Sequence, residues 1–168
     1  RCHQETLAVV ISPFRSRLGS LADEIVDEDF PPGKGFMPEV AQQWELSTKP
    51  VELVGVRQII IRTGIVLGKD GGAFPRLALP FRLFVGGRLG RGEQWFSWIH
   101  LKDEVRAIRF LMEKEDLSGV FNLAAPGALK EKDFAAILGS KVLADSDWMG
   151  VSYKLRFNTE DEIERYLA

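Results

Sequence analysis

Cysteine is nearly absent: Cys2 is the only one in 168 residues. That excludes an intrachain disulfide and any cysteine-based zinc site. Histidine is almost as scarce. His3 and His100 lie far apart, so no H-E-x-x-H occurs and no metal centre is expected. Long apolar runs are missing too. The stretches around Leu7–Ile11 and Gln58–Ile61 are far too short to span a bilayer. Arg1-Cys2-His3-Gln4-Glu5 is not followed by the apolar segment of a secretory signal. Neither charge sign dominates. The net charge is −2, with acids and bases interleaved and no basic stripe, which predicts neither a nucleic-acid nor a membrane-surface partner. There is no G-x-G-x-x-G, no Walker A sequence and no G-x-S-x-G nucleophile elbow.

What is present is ordinary soluble material. The chain is 45% hydrophobic and 27% charged, enough for one sizeable core. A cytoplasmic, reducing compartment fits the cysteine usage. Arg1 stands where an initiator methionine would, so the expectation is that these residues begin inside a longer reading frame.

Leu7-Ala8-Val9-Val10-Ile11 reads as a strand buried on both faces, the kind found in parallel sheets. Arg15 to Gly35 is polar and Pro/Gly-terminated, so a loop is expected. Phe36, Val40 and Trp44 fall at i, i+4 and i+8, which predicts a helix buried on that stripe, with Pro38 in its first turn. Val56 to Leu67 is dense in β-branched residues and predicts one long strand. Gly68 to Gly72 predicts a turn. Phe74 to Val85 predicts a helix broken near Pro80, and the glycines of Gly86 to Gly92 predict a loop. Val105, Ile108 and Met112 mark the expected apolar face of a helix from about Asp103 to before Gly119. Val120 to Ala125 predicts a short strand. Phe134, Ile137 and Leu138 predict a short helix stopped by Gly139. Tyr153 to Phe157 predicts a strand, and Thr159 with Glu162 a capping box opening a terminal helix. Such alternation signals α/β architecture with a mostly parallel sheet.

One run is more specific. It begins Arg62-Thr63-Gly64-Ile65-Val66-Leu67-Gly68 and continues through Gly71-Gly72, Leu79-Pro80-Phe81-Arg82 and Gly86-Gly87-Arg88-Leu89-Gly90. It ends in Gln94-Trp95-Phe96-Ser97-Trp98-Ile99-His100 and Asp103. Over roughly Gly55 to Ala125 this resembles the extended short-chain dehydrogenase/reductase family, in its epimerase-like subgroup, called nucleoside-diphosphate-sugar epimerase or cell-division-inhibitor-like. More loosely, Val9-Val10-Ile11-Ser12, Glu28-Asp29, Pro32-Gly33, Glu39-Val40, Trp44-Glu45 and the tail from Gly139 are similar to flanking parts of that family.

The resemblance implies the C-terminal half of a Rossmann-like sheet with a small strand-helix appendage. Residues 1–138 correspond to a partial NAD(P)-binding and substrate-side domain without its glycine-rich front. Residues 139–168 correspond to a fragment of the family's C-terminal domain, and an internal stretch near Gly139 is expected to be missing as well. The implied activity is that of an NAD(P)-dependent epimerase, dehydratase or oxidoreductase acting on a small molecule, with NADP slightly preferred and a homo-oligomer compatible. The implied cofactor contacts are Arg62, Thr63, Gly64 and Val66. The implied substrate pocket is Arg88, Gln94, Trp95, Trp98 and His100. Arg88 and Arg91 suit an anionic substrate or a solvated loop; Trp95 and Trp98 suit pocket walls or packing. His100 suits a structural hydrogen bond to Asp103 or a backbone carbonyl.

The departures qualify the activity. No Tyr-x-x-x-Lys exists; the corresponding positions are Phe36 and Val40, which can neither donate a proton nor lower a neighbour's pKa. Ser12 is the remaining catalytic candidate, a hydroxyl without its base partner. Where family members use an arginine to clamp a diphosphate, this chain has Phe96. Whether it is an enzyme is therefore open. The reading from another class is a non-catalytic remnant or regulatory binding protein that keeps only the substrate-side surface. Without a glycine-rich turn at a helix N-terminus, these residues alone are expected to bind no dinucleotide.

Overall fold

A computed structural model describes residues 7–13, 26–68 and 71–144. The element order is β1 (Leu7–Pro13), α1 (Phe36–Thr48), α2 (Pro50–Leu53), β2 (Arg57–Thr63), β3 (Ile65–Gly68), β4 (Gly71–Gly72) and α3 (Phe74–Arg82). It continues with β5 (Trp95–Phe96), β6 (Trp98–His100), α4 (Leu101–Glu113), β7 (Gly119–Leu123), β8 (Leu129–Lys130) and α5 (Glu131–Ala144). The fold is α/β and its pairings are mostly parallel, as expected. The strand and terminal helix expected after Tyr153 lie outside the described residues.

The chain divides into two compact units. The first holds the described residues through Gly64 together with Arg106–Leu123. Its sheet has the order β1-β2-β7 with both pairings parallel. Ile59 and Ile61 are fully buried in the central strand. Below the sheet, α1 ends where Ser47 and Thr48 hydroxyls donate to the carbonyls of Trp44 and Glu45, both at 2.7 Å. The buried Gln58 amide then donates to the Thr48 carbonyl at 3.0 Å, tying this helix end to β2. At the same end of β2, Arg57 takes carbonyls at and just beyond the end of α4. Its Nη1 and Nη2 donate to Leu111, Met112, Lys114 and Leu117 at 2.9–3.2 Å. A cation there meets the negative end of the helix dipole.

The second unit holds Ile65–Val105 and the residues from Ala124. Here β3 pairs parallel with β6 and antiparallel with β4, and β5 pairs with β8. Its core is Leu67, Ala78, Phe96, Trp98, Ala125, Phe134 and Leu138. The Phe96 and Phe134 rings stack 4.1 Å apart at 19°.

Five expectations are corrected. First, α1 forms, but its Phe36–Val40–Trp44 stripe faces solvent, with Phe36 76% exposed; Pro38, Ala41 and Glu45 are the buried side. α4 behaves alike: Val105 and Met112 are exposed, while Ala107 and Leu111 are buried. Second, the long strand is two strands. Gly64 interrupts it, donating to the Leu123 carbonyl at 2.9 Å while Ile65 turns to Ser97. Third, α3 runs through Pro80 to Arg82; the proline costs one bond, to the Arg76 carbonyl, and Arg76 lies at the surface. Fourth, Gly139 does not stop α5, which continues to Ala144. It sits where a Cβ would come within 3.3 Å of the Phe81 ring, so its bare backbone lets that aromatic approach. Fifth, β1 is an edge strand among the described residues, not a doubly buried one.

Candidate functional site

The carboxyl ends of the three parallel strands in the first unit form a polar row. Ser12 in β1 stands opposite Arg62 in β2, and Arg62 stands opposite Asn122 in β7. Pairing across a sheet places these side chains on one face. An arginine closing an aliphatic strand cannot stay buried unpaired. Its partner comes from α1: Glu45, on the helix side opposite the apolar stripe, meets the guanidinium through two parallel bonds. Arg62 Nε lies 2.9 Å from Oε1 and Nη2 lies 2.9 Å from Oε2. The fork geometry adds direction as well as energy.

The network extends on both sides. Ser12 is fully buried and donates its proton to Glu45 Oε1 at 2.9 Å. Arg62 Nη1 donates to the backbone carbonyl of Glu28 at 2.7 Å. The Glu28 carboxylate accepts the Asn122 backbone N–H at 2.8 Å. Three strands, one helix and the segment before it are thus joined through one arginine. The Asn122 side-chain amide is the open group in the row: both its polar atoms are buried and make no hydrogen bond. Ser12 keeps its lone pairs, but its proton is committed to a carboxylate already neutralised by Arg62. That carboxylate is a poor base for activating a hydroxyl.

In the second unit the glycine loop is pinned to the start of α5. Leu89 N–H donates to the buried Glu131 carboxylate at 3.0 Å. Glu131 and Lys132 N–H groups return bonds to the carbonyls of Gln94 and Gly92. Gly92 has φ +68°, and a Cβ there would meet Lys132 Cβ at 2.7 Å, so the turn requires glycine. Gln94 closes the loop from within, donating to the Leu89 carbonyl at 3.2 Å. Glu93 bridges Lys132 at 2.7 Å and Lys130 at 3.2 Å, and these bonds hold its carboxyl below the usual carboxylate range. Lys130 also lies 5.5 Å from the centroid of the Trp95 ring.

The sequence-derived site residues fall in both units. Arg62, Thr63 and Gly64 belong to the first, Val66 to the second. Val66 lies in β3 opposite Ile99 of β6. Trp98 is only 3% exposed within the aromatic core, and its Nε1 donates to the Gly127 carbonyl at 3.2 Å. Trp95 is at the surface. Arg88 and Arg91 are exposed on the loop. His100 Nδ1 accepts the Lys102 backbone N–H at 3.1 Å, so it caps the start of α4. Phe96, at the clamp position, is buried against Phe134. Sequence reasoning named Arg62 but missed Glu45, Glu28 and Asn122. The available signal was Arg62 itself: a cation within an aliphatic strand demands a buried acid. Among the described residues no His, Cys, Asp or Glu cluster could hold a metal, and no helix is long and apolar enough to cross a membrane.

No family model matches the sequence. Individual proteins do. The chain is 36% identical over 138 residues to an epimerase family protein of Mycobacterium leprae, covering 82% of this chain and 45% of that one. It is 45% identical over 91 residues to an epimerase family protein of Staphylococcus aureus, covering 54% and 30%. Among solved structures, the nucleoside-diphosphate sugar epimerase of Corynebacterium glutamicum superposes with a TM-score of 0.75 at 28% identity, covering 98% of this chain and 38% of that one. Human epimerase family protein SDR39U1 (isoform 2), solved with NADPH, gives 0.74 at 31%, covering 82% and 46%. A Thermus thermophilus UDP-glucose 4-epimerase, at 13% identity and a TM-score of 0.69, shares the fold. The chain therefore spans less than half the length of these sequence relatives.

Proposed function

We propose that this chain, which shares sequence and Rossmann-type fold with part of the epimerase family proteins, is the substrate-side portion of a nicotinamide-dependent epimerase or oxidoreductase. One observation carries this reading: the 31% identical, closely superposing human relative was solved with NADPH. In open α/β sheets ligands lie beyond the carboxyl ends of the strands. Backbone contact with the nicotinamide is assigned to Thr63 and Gly64 in the first unit and, separately, to Val66 in the second. The open amide of Asn122 offers the two N–H donors of Nδ2 and the acceptor Oδ1 to a bound group. Arg62 serves this surface by fixing it, since its guanidinium is spent on Glu45 and Glu28. Arg88, Gln94, Trp95 and His100 are assigned to the substrate side. Trp98 supports them from the core.

The chemistry departs from ordinary short-chain reductase proton transfer. Phe36 and Val40 stand exposed on α1 and offer neither phenol nor ammonium. No proton transfer is assigned to Ser12, whose hydroxyl is locked by Glu45. With Phe96 buried, no cation at that position clamps a diphosphate, which argues against a nucleotide sugar.

NADPH titration followed by fluorescence or calorimetry tests the reading. The chain alone is expected to bind no better than the millimolar range, because these residues contain no G-x-G-x-x-G turn joining a strand to a helix N-terminus. Joined to the part of the human relative that it does not match, it is expected to bind NADPH at micromolar concentration. Micromolar binding by the chain alone, or none by the joined protein, would overturn it.

A further inference from the structure

Charge is balanced over the whole chain but not within the second unit. From Gly71 to Gly92 there are four arginines, Arg76, Arg82, Arg88 and Arg91, and no acidic residue. The net charge of −2, which predicts no membrane-surface partner, averages over this segment. All four arginines are exposed. So are Leu79, Leu83, Phe84, Val85 and Leu89, each by more than half. Packing of α3 produces this arrangement. Phe74, Leu77, Ala78 and Phe81 turn to the aromatic core, which leaves Leu79 and Leu83, four residues apart, on the outer face. Past the helix the chain folds back on its end: a Cβ at Gly86 would run into the Phe81 ring. The Glu131 carboxylate then fixes the loop through Leu89 N–H. The first acid after the segment, Glu93, is spent on Lys130 and Lys132. Between helix and loop stands Phe84, at φ +59° and with its ring open to solvent. A residue that costs backbone strain and buries nothing contributes no stability to the fold.

We infer that the end of α3 and the loop after it form a docking surface for a bilayer containing anionic lipids. The protein lies on such a bilayer: no described helix is long and apolar enough to cross one. Charge selects this surface over the other exposed apolar stripe. On α1, Phe36, Val40 and Trp44 have Glu39 beside them, and no basic residue occurs from Phe36 to Thr48. Anionic headgroups would repel that helix and attract the arginines of the α3 segment. Shape selects a lipid over a protein partner. A ring protruding from a loop needs a matching pocket in a protein, whereas acyl chains accept it without one. The arginine stems can lie along the apolar residues while their guanidinium groups stay at the headgroup level. This surface is separate from the nicotinamide contacts assigned above and does not depend on them.

Co-sedimentation of the 168-residue chain with sucrose-loaded vesicles tests it. One set of vesicles is phosphatidylcholine, the other an equimolar mixture of phosphatidylcholine and phosphatidylserine. Binding to the mixed vesicles is expected to be tighter on the order of tenfold or more, and to weaken at high salt. Arg76→Gln combined with Arg91→Gln, which leaves Arg88 in place, should weaken it by about tenfold. Phe84→Gly should also weaken it by about tenfold. Because that variant relieves strain, its melting temperature should rise, so the lost binding cannot come from unfolding. No binding to the mixed vesicles, equal binding to both sets, or undiminished binding by Phe84→Gly overturns the inference. Self-association that Phe84→Gly abolishes, seen by sedimentation velocity in place of vesicle binding, also overturns it and assigns the surface to a second copy of the chain.

Discussion

The two units solve the same problem with different materials. In the first, polar atoms are gathered inside: Ser12, Glu45 and Arg62 are all buried on one face of a parallel sheet. In the second, apolar rings fill the core, and the carboxylates of buried Glu131 and exposed Glu93 tie the glycine loop to the start of α5. A buried charged network is expensive to assemble and costly to leave half made. An aromatic core is tolerant of small changes and indifferent to charge. The contrast separates a polar network that fixes the ends of three strands from an aromatic core that fixes the packing around it. The arginine of the first unit tolerates no unpaired state, whereas the tryptophan of the second has only to fill space and satisfy one N–H.

The sharpest test removes one partner of the buried pair. Glu45→Leu leaves Arg62 buried without its carboxylate, and the loss is expected to be about 3–5 kcal/mol. Urea unfolding should show it as a large drop in midpoint. The double variant Glu45→Leu with Arg62→Leu removes both charges and should recover most of that loss. If the single variant costs less than about 1 kcal/mol, the network behaves like a surface salt bridge and the contrast between the units fails.

Much of the architecture could be read before the structure. Element types followed from β-branched density and glycine punctuation, and the aromatic helix at Phe134 and Leu138 presented the expected face. The failures share a physical cause. Counting apolar residues assigned the buried side of α1 to Phe36, Val40 and Trp44, when the sheet instead accepts Ala41 and Glu45. Residue type predicts burial only when no partner is waiting, and Arg62 was waiting on a strand 17 positions away in sequence. Gly139 misled for a similar reason. A glycine after an apolar run reads as a stop, but the Phe81 ring, which needs its missing side chain, is brought there by tertiary packing. The site was half legible. Arg62 could be named from its strand end, but its role required the register that sets Ser12, Arg62 and Asn122 in one row.

A smaller effect of opposite sign belongs to the second unit. The end of α3 is closed by bonds from Phe84 N–H to the Phe81 carbonyl and from Val85 N–H to the Pro80 carbonyl, both at 3.0 Å. This paired closure places the residue after the cap in the left-handed region, where glycine is preferred. Phe84 holds φ +59° there while its side chain is 83% exposed. Phe84→Gly should therefore relieve strain with little loss of burial and stabilise the unit by about 1 kcal/mol. Phe84→Ala, equally strained, should not. A loss of stability in the glycine variant would show that the exposed ring makes a favourable contact, against the view that this unit is held by its interior.

The smallest effect concerns charge at the surface of that same unit. Glu93 is exposed, and its carboxyl is held low first by the bond to Lys132 and then by the bond to Lys130. A depressed carboxylate stabilises the folded state above its ordinary titration range and loses that contribution as pH falls through the folded value. Glu93→Gln should thus melt slightly lower than the parent at neutral pH. The gap should close as the pH drops below about 4.3, and it should also close at high salt, because exposed pairs are screened. Melting curves across pH and ionic strength would resolve it. The Glu45–Arg62 pair, shielded from solvent, should show no comparable sensitivity to salt. If the Glu93 difference survives in high salt, the bridges to Lys130 and Lys132 act by fixing the shape of the loop rather than by charge.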